Sequence, residues 1–318
     1  MFRRVGNPLL RRPFLATFGV PLEREIMPSY TLQDLPTKEA HALLLGAVGP
    51  RPIALASTMD KEGNANLSPF SYFNVFSSNP PILVFSPARR VRNNTTKDTL
   101  RNAEYLREVV INVVNYNIVQ QTSLSSTEYP TGVNEFTKAG LSPVESETVK
   151  PFRVKESPAQ FECRVNDIVA LGPDGGAGNL IICEVTRLHL DEAVLDESGK
   201  IDMHQIDLVA RMGGAYYCRA QGEALFEVEK PLATLGMGVD ALPASIRNSP
   251  VLRGNHLGQL GNVEERPADN AVRTYAKQEN ISNLASDTEA LHRRAASLLD
   301  EGDVEGAWKT LLCAEINL

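Results

Sequence analysis

The sequence predicts a mainly β protein: an antiparallel, Greek-key-like barrel or sandwich with peripheral helices and a helical C-terminal appendage. Three observations lead there. Apolar, β-branched runs recur as IALAST (53–58), ILVFS (82–86) and VVINVV (109–114), with turn formers between them. Two longer runs, FECRVNDIVALG (161–172) and NLIICEVTRLHL (179–190), are joined only by PDGGAG, which suits a hairpin. Near residue 240 the texture changes to a Gly- and Pro-rich stretch, followed by a polar segment over 269–318 with helical periodicity.

Each element has a local reason. Thr37, after Pro36, can N-cap a short helix over KEAHALLLGAV that Gly46 and Gly49-Pro50 end. IALAST is a strand, and MDKEGN with Gly63 a polar turn. ANLSPFSYFNVFSSNPPILVFSP (65–87) supplies the next strand, an irregular crossing and a third strand, since Pro69, Pro80, Pro81 and Pro87 prevent a regular ladder. KDTLRNAEYLRE (97–108) reads as a helix with Leu100 and Leu106 on its apolar side, VVINVV as a buried strand and NIVQQTSLSS as a helix. Residues 128–158 are rich in turn formers; after the long hairpin come DLVARM and GGAYYCR (213–219). In the appendage Leu291, Ala295 and Leu298 share a face, Gly302 ends that helix, Asp303 caps the next, and Val304, Trp308 and Leu311 form a second stripe. Short helices are marginal alone, so this pair needs a surface on its own chain or on a dimer partner. The expected division is a flexible extension over 1–29, a barrel over 30–240, a loop-rich extension over 241–268 and the appendage over 269–318.

Composition narrows the function. The chain has 318 residues, 42% hydrophobic and 22% charged, with a net charge of −7. That is ordinary for a soluble globular protein and argues against binding nucleic acid through general phosphate attraction. No apolar run approaches the roughly 20 residues that cross a bilayer. The cysteines Cys163, Cys183, Cys218 and Cys313 include no CxxC pair, so no metal site is expected; reduced thiols in a cytoplasmic protein are. The leading MFRRVGNPLLRRPFLATFGVPL holds four arginines and no acid. It reads as a loose extension in preference to a transit or membrane-surface segment.

Two segments have the composition of a binding site. SPARRVRNNTTKDT (86–99) gathers Arg89, Arg90, Arg92 and Lys97 with Thr95, Thr96 and Thr99 and runs into a helix N-terminus. Cations, hydroxyls and free helix N–H groups suit a phosphate; the bland alternative is a solvated basic loop. In 65–87, Asn66, Ser68, Ser71, Asn74 and Ser77 are interspersed with Leu67, Phe70, Phe73 and Phe76. A flat heteroaromatic ring with polar edges could use both sets; alternatively the serines satisfy one another in a barrel crossing. LGPDGGAGNL does not match GxGxxG and reads as a hairpin loop. His41, His189 and His292 read as structural or surface residues, Cys163 and Cys183 as small core residues. His204 and His256 either border a pocket or are structural.

RPIALASTMDKEGNANLSPFSYFNVFSSNPPILVFSP, KDTLRNAEYLREVVINVV, DLVARMGGAYYCR and LPASIRNSPVLRGNHLGQLGNV, in that order, resemble the flavin reductase-like, FMN-binding split-barrel family, nearest its longer, flavoredoxin-like branch. The resemblance covers about residues 37–262. It implies FMN as cofactor, with Ser57, Thr58, Asn66, Ser68, Pro69, Phe70 and Ser71 near the isoalloxazine. It also implies that Lys97 and Thr99 hold the phosphate. Arg51 either assists or pins the start of the barrel. Arg211, beside Gly213 and Gly214, falls on the nicotinamide side, where it meets a nucleotide phosphate or a carboxylate across a dimer interface. The family's reaction is hydride transfer from NADH or NADPH to FMN, with no obligatory side-chain acid or base, so no catalytic residue is nominated. A homodimer is implied, with a monooxygenase as recipient of reduced flavin. Two alternatives stand beside this: an electron carrier reduced by a redox protein, and a split barrel for another flat ligand such as haem or pyridoxal phosphate.

Overall fold

In the computed structural model, which describes residues 27–231 and 235–316, the chain divides into two compact units, Ser29–Glu227 and Val228–Leu318. Residues 1–26, most of the expected flexible extension, lie outside the described residues.

The first unit runs α1 (Thr37–Ala47), β1 (Ala54–Met59), β2 (Ala65–Phe70), β3 (Phe73–Ser78), β4 (Pro81–Phe85), α2 (Asp98–Leu106) and β5 (Glu108–Val113). It continues through α3 (Val119–Leu124), α4 (Glu135–Ala139), β6 (Pro143–Val144), β7 (Arg153–Val154), β8 (Ala159–Ala170), β9 (Asn179–Leu190), β10 (Val209–Arg211) and β11 (Tyr217–Arg219). The main sheet is antiparallel and ordered β2-β1-β5-β8-β9-β4-β3. Its two outermost strands, β2 and β3, are joined through Ser71 and Tyr72 alone. Such a link reaches at most about 10 Å, so the sheet must curl until its edges approach. No ladder joins β2 to β3, and the barrel stays split.

The prolines fit this topology. Pro69 lies in the edge strand β2, where a missing N–H costs no interior ladder bond, and Pro81 opens β4. The crossing expected to be irregular is itself a strand, β3, with a register shift between Val75 and Ser77. The long hairpin β8–β9 carries two further register shifts, which increase strand twist and help the sheet curl. The helix expected to be capped by Thr37 is capped by Pro36, and no side chain bonds its first N–H groups.

Strand alternation sorts the core into two clusters. One joins Ala54, Ala56, Phe70, Phe85, Val109, Ile111, Cys163, Ile181 and Cys183 with Leu100 and Ala103 of α2. The other joins Leu55, Leu67 and Val114 with Ile118 and with Phe136 and Ala139 of α4.

The second unit is helical: α5 (Ala244–Arg247), α6 (Gly254–Gly261), α7 (Asp269–Gln278), α8 (Thr288–Asp300) and α9 (Val304–Leu312). Gly302 adopts φ +87° after α8, and Asp303 caps α9 by accepting from the Gly306 N–H at 2.8 Å. Leu291, Ala295, Leu299, Trp308 and Leu311 pack with Leu242, Ile246, Leu252 and Leu260 in one cluster. The surface that α8 and α9 cover therefore comes from 242–260, and Trp308 donates its indole N–H to the Leu260 carbonyl at 3.1 Å. No helix among the described residues is long and apolar enough to cross a membrane.

Candidate functional site

The register of β1 against β2 decides which predicted side chains can act together. Ala54, Ala56 and Thr58 pair with Phe70, Ser68 and Asn66, so these six share one face. Leu55 and Ser57 pair with Pro69 and Leu67 on the other. Six of the predicted residues, Ser57, Thr58, Asn66, Ser68, Pro69 and Phe70, thus divide between two sides of the sheet. Thr58, Asn66, Ser68 and Phe70 face α2. Ser57 is fully buried on the opposite side, and its Oγ has no hydrogen-bond partner among the described residues.

On the α2 side a polar network adjoins the apolar core cluster. Asn66 Oδ1 accepts from Thr99 Oγ1 at 2.9 Å and from Thr58 Oγ1 at 3.2 Å. Asn102 Nδ2 donates to Thr58 Oγ1 at 3.1 Å. Asn66 Nδ2 donates to both carboxylate oxygens of Glu135 at 3.2 Å, and Glu135 Oε2 also accepts the Leu67 N–H at 3.0 Å. Burial pushes the Glu135 carboxyl above the usual range while these bonds pull it down. The network ties β1, β2, α2 and α4 together, and it uses the hydroxyl of Thr99. That side chain, expected on the phosphate, bonds Asn66 instead; what Thr99 offers an anion is its backbone N–H, which with that of Asp98 precedes the first intrahelical bond, from the Leu100 N–H to the Lys97 carbonyl at 3.1 Å. Beside the network lies a cavity of ≈ 310 Å³ between the 60–65 turn, α2 and residues 131–135.

Lys97 immediately precedes α2. Its Nζ stands 5.0 Å from the centroid of the Phe70 ring, which lies 5.4 Å from the Phe85 ring. Among the described residues the ammonium has neither an ion pair nor a hydrogen bond. Burial, then the charge of Arg90, lowers its pKa, with Glu128 opposing. The other cations of the loop are engaged. Arg89 bonds Asn94, Arg90 and Arg92 meet Glu128, and Arg90 also reaches the Thr96 carbonyl at 2.7 Å. The basic loop is thus internally braced, with Lys97 left to meet an anion.

The Gly-rich hairpin loop supports that loop from behind. The Arg89 N–H donates to the Ala177 carbonyl at 2.8 Å, and the Gly176 N–H returns a bond to the Arg89 carbonyl at 2.9 Å. A Cβ on Gly175 would stand 3.0 Å from Val91 Cα, and one on Gly178 2.6 Å from Ser86 Oγ. Close backbone approach is what these glycines permit. Ser86 Oγ, at the start of the loop, is buried and has no hydrogen-bond partner among the described residues.

The two predicted arginines meet each other but not this cluster. Arg51 and Arg211 exchange backbone bonds of 2.9 Å in both directions. The Arg51 guanidinium is buried against carbonyls: Nη1 donates to Leu45 and Val48, Nη2 to Met212. It pins the C-terminal end of α1 to the segment after β10, which is the structural alternative left open for it. Arg211 donates to the Gly214 carbonyl at 2.9 Å and stacks over Tyr217 at 4.6 Å. Ser68 and Ser71 are part-exposed, with hydroxyls free of hydrogen bonds among the described residues. His204 bonds Gln221, and His256, 2% exposed, belongs to the helical unit, where it bonds Asp300 at 3.0 Å.

These residues fit a flavin mononucleotide: a half-buried ammonium, unpaired among the described residues, beside a helix N-terminus, an aromatic wall, and the orphaned hydroxyl of Ser86, while Ser57 lies on the other side of the sheet. Glu135, Asn102 and the 175–178 glycines were missed from sequence. The turn formers around α4 hid a buried carboxylate, and the Gly-rich loop showed its hairpin but not the segment it touches.

Residues 47–216 match the model of the flavin reductase like domain. An uncharacterized protein of Aquifex aeolicus is 37% identical over 188 residues, which are 59% of this chain and 93% of that protein. The crystal structure of nitrilotriacetate monooxygenase component B from Bacillus cereus superposes with a TM-score of 0.59 at 32% identity, covering 64% of this chain and 98% of that one. Pseudomonas fluorescens 2-nitrobenzoate 2-nitroreductase NbaA superposes with a TM-score of 0.57 at 25% identity, covering 66% and 100%.

Proposed function

The chain belongs to the flavin reductase like family, and from that premise we propose that it binds FMN and passes hydride to it from NADH or NADPH. The observation that carries the FMN reading is Lys97, a half-buried cation at the mouth of α2 with no ion pair among the described residues. The phosphate would lie against Lys97 and the Asp98 and Thr99 N–H groups that open α2, and the ring against Phe70, Ser68 and Ser71. Bound FMN supplies the two-electron chemistry. The residues of the chain bind, orient and exclude water, and no side chain is assigned a proton to move. Reduced flavin would pass to a separate monooxygenase, in keeping with the name of the Bacillus cereus neighbour.

We take the working form to be a homodimer in the cytoplasm. Supporting the dimer, α1 buries none of its residues, Leu43, Leu44 and Val48 are exposed, and the edge strand β3 exposes Val75 and Phe76. Sedimentation at nanomolar concentration should show a dimer; a monomer that keeps its FMN would overturn this part. The reducing compartment rests on four free cysteines.

One observation favours a second reading, an electron carrier reduced by a protein partner. Arg211, the cation nominated for the nucleotide, is engaged with Gly214 and Tyr217. The visible spectrum of the FMN-loaded protein under argon decides between them. Bleaching within seconds of adding NADH or NADPH is expected, and the faster nucleotide names the donor. A persistent yellow band would transfer the assignment to the carrier.

A further inference from the structure

We propose that Glu135 is a positioning residue for the flavin phosphate, acting through Asn66 and Thr99 on the first turn of α2. The inference rests on the FMN reading above and extends it to a residue that touches neither the basic loop nor Lys97.

The argument is one of hydrogen-bond polarity. A carboxylate only accepts, so both oxygens of Glu135 can only take the Nδ2 end of Asn66. That fixes which way the amide points. Its Oδ1 must then face the hydroxyls of Thr99 and Thr58, and both donate to it. Thr99 is the second residue of α2, so its 2.9 Å bond anchors the helix start to β2. Glu135 is itself held: Asn134 caps α4 by accepting from the Phe136 N–H at 2.9 Å, and Phe136 is buried in the second core cluster. The relay therefore runs from α4 through β2 to α2 and ends at Thr99, two residues after Lys97.

A buried carboxylate is costly to keep, and its charge opposes a nearby phosphate. What it supplies is the acceptor. Oε2 alone takes both the Leu67 N–H and Asn66 Nδ2, so a glutamine oxygen there would keep both bonds without the charge.

The test compares FMN with riboflavin, which differ only in the phosphate, in fluorescence titrations of the full chain. Glu135→Ala should weaken FMN on the order of tenfold and riboflavin by no more than about twofold, and Glu135→Gln should restore most of the FMN affinity. Thr99→Val, which breaks the far end of the relay, should reproduce the selective loss and carries the test alone if Glu135→Ala does not fold. Lys97→Ala is the control for the underlying reading. If it erases the preference for FMN while the Glu135 and Thr99 variants leave that preference intact, Glu135 is a packing residue and the proposal fails with the reading standing. If Lys97→Ala leaves the preference intact as well, the phosphate assignment fails and the relay falls with it.

Discussion

Lys97 is legible in sequence as part of a basic run, but its sequence cannot say which of the four cations is free. The structure separates them by partner. Arg89, Arg90 and Arg92 are held by Asn94 and Glu128, and Lys97 is left over an aromatic ring. Charge-assisted hydrogen bonds contribute about 1.5–3 kcal/mol each, roughly 10- to 150-fold in affinity. Lys97→Ala should therefore weaken FMN by about that factor and riboflavin by much less, read by flavin fluorescence quenching. Equal losses for the two ligands would move the phosphate elsewhere. The same residue-scale logic applies to Thr99 and Arg51. The family resemblance places Thr99 at the phosphate and leaves Arg51 either assisting or pinning the start of the barrel; in the structure both side chains bond groups of the protein itself. A sequence shows that a polar group is present, not whether a neighbour has already claimed it.

At the scale of elements, the strands were readable because the β-period and the apolar runs agree, and α8–α9 because Gly302 and Asp303 mark their junction. The short strands β6 and β7 and the five-residue α4 were not, since so few residues carry no period. Their loops are held by side chains reaching from elsewhere. Glu162 of β8 is buried and accepts from the Glu147 N–H at 2.8 Å, from the Thr148 N–H and hydroxyl at 2.6 Å, and meets His189 at 2.7 Å. Burial opposes its ionisation, but these bonds prevail and lower its pKa from 4.5 to about 2. A carboxylate with a depressed folded pKa adds stability that is complete above its unfolded value and disappears as pH falls through the folded one. Unfolding free energy of the native chain should therefore decline between about pH 4.5 and pH 2, and Glu162→Gln should flatten that limb. Denaturant melts across this range check it; an unchanged slope in the variant would show that other carboxyls set the acid limit.

At the scale of the whole molecule, the sequence suggested a barrel followed by a loop-rich stretch and a separate helical pair. The cores group differently. One set of clusters lies within Ser29–Glu227, and another joins Leu242 through Cys313. Texture near residue 240 registered the glycines and prolines but could not show that Leu242, Ile246 and Leu252 complete the core of α8 and α9. The family model matches residues 47–216, which lie within the first of these groups. Two cores with no residue in common should melt as two calorimetric transitions. FMN at about a hundred times its Kd should raise only the barrel transition, by a linkage term of about 2.7 kcal/mol. Acid should act on the other through His292. There Ser249 Oγ accepts the Val251 and Leu252 N–H groups, so its own hydrogen is donated to His292 Nδ1 at 2.7 Å, which requires an unprotonated ring nitrogen. Burial lowers the His292 pKa below 6.5. The sign is that of a depressed folded pKa: the stabilisation is full above the unfolded value and is lost as pH falls below about 6.5. The FMN-insensitive transition should therefore lose stability as pH falls below about 6.5, and His292→Gln should reduce that loss. A single transition that shifts with both FMN and pH would show instead that the two cores unfold as one cooperative body.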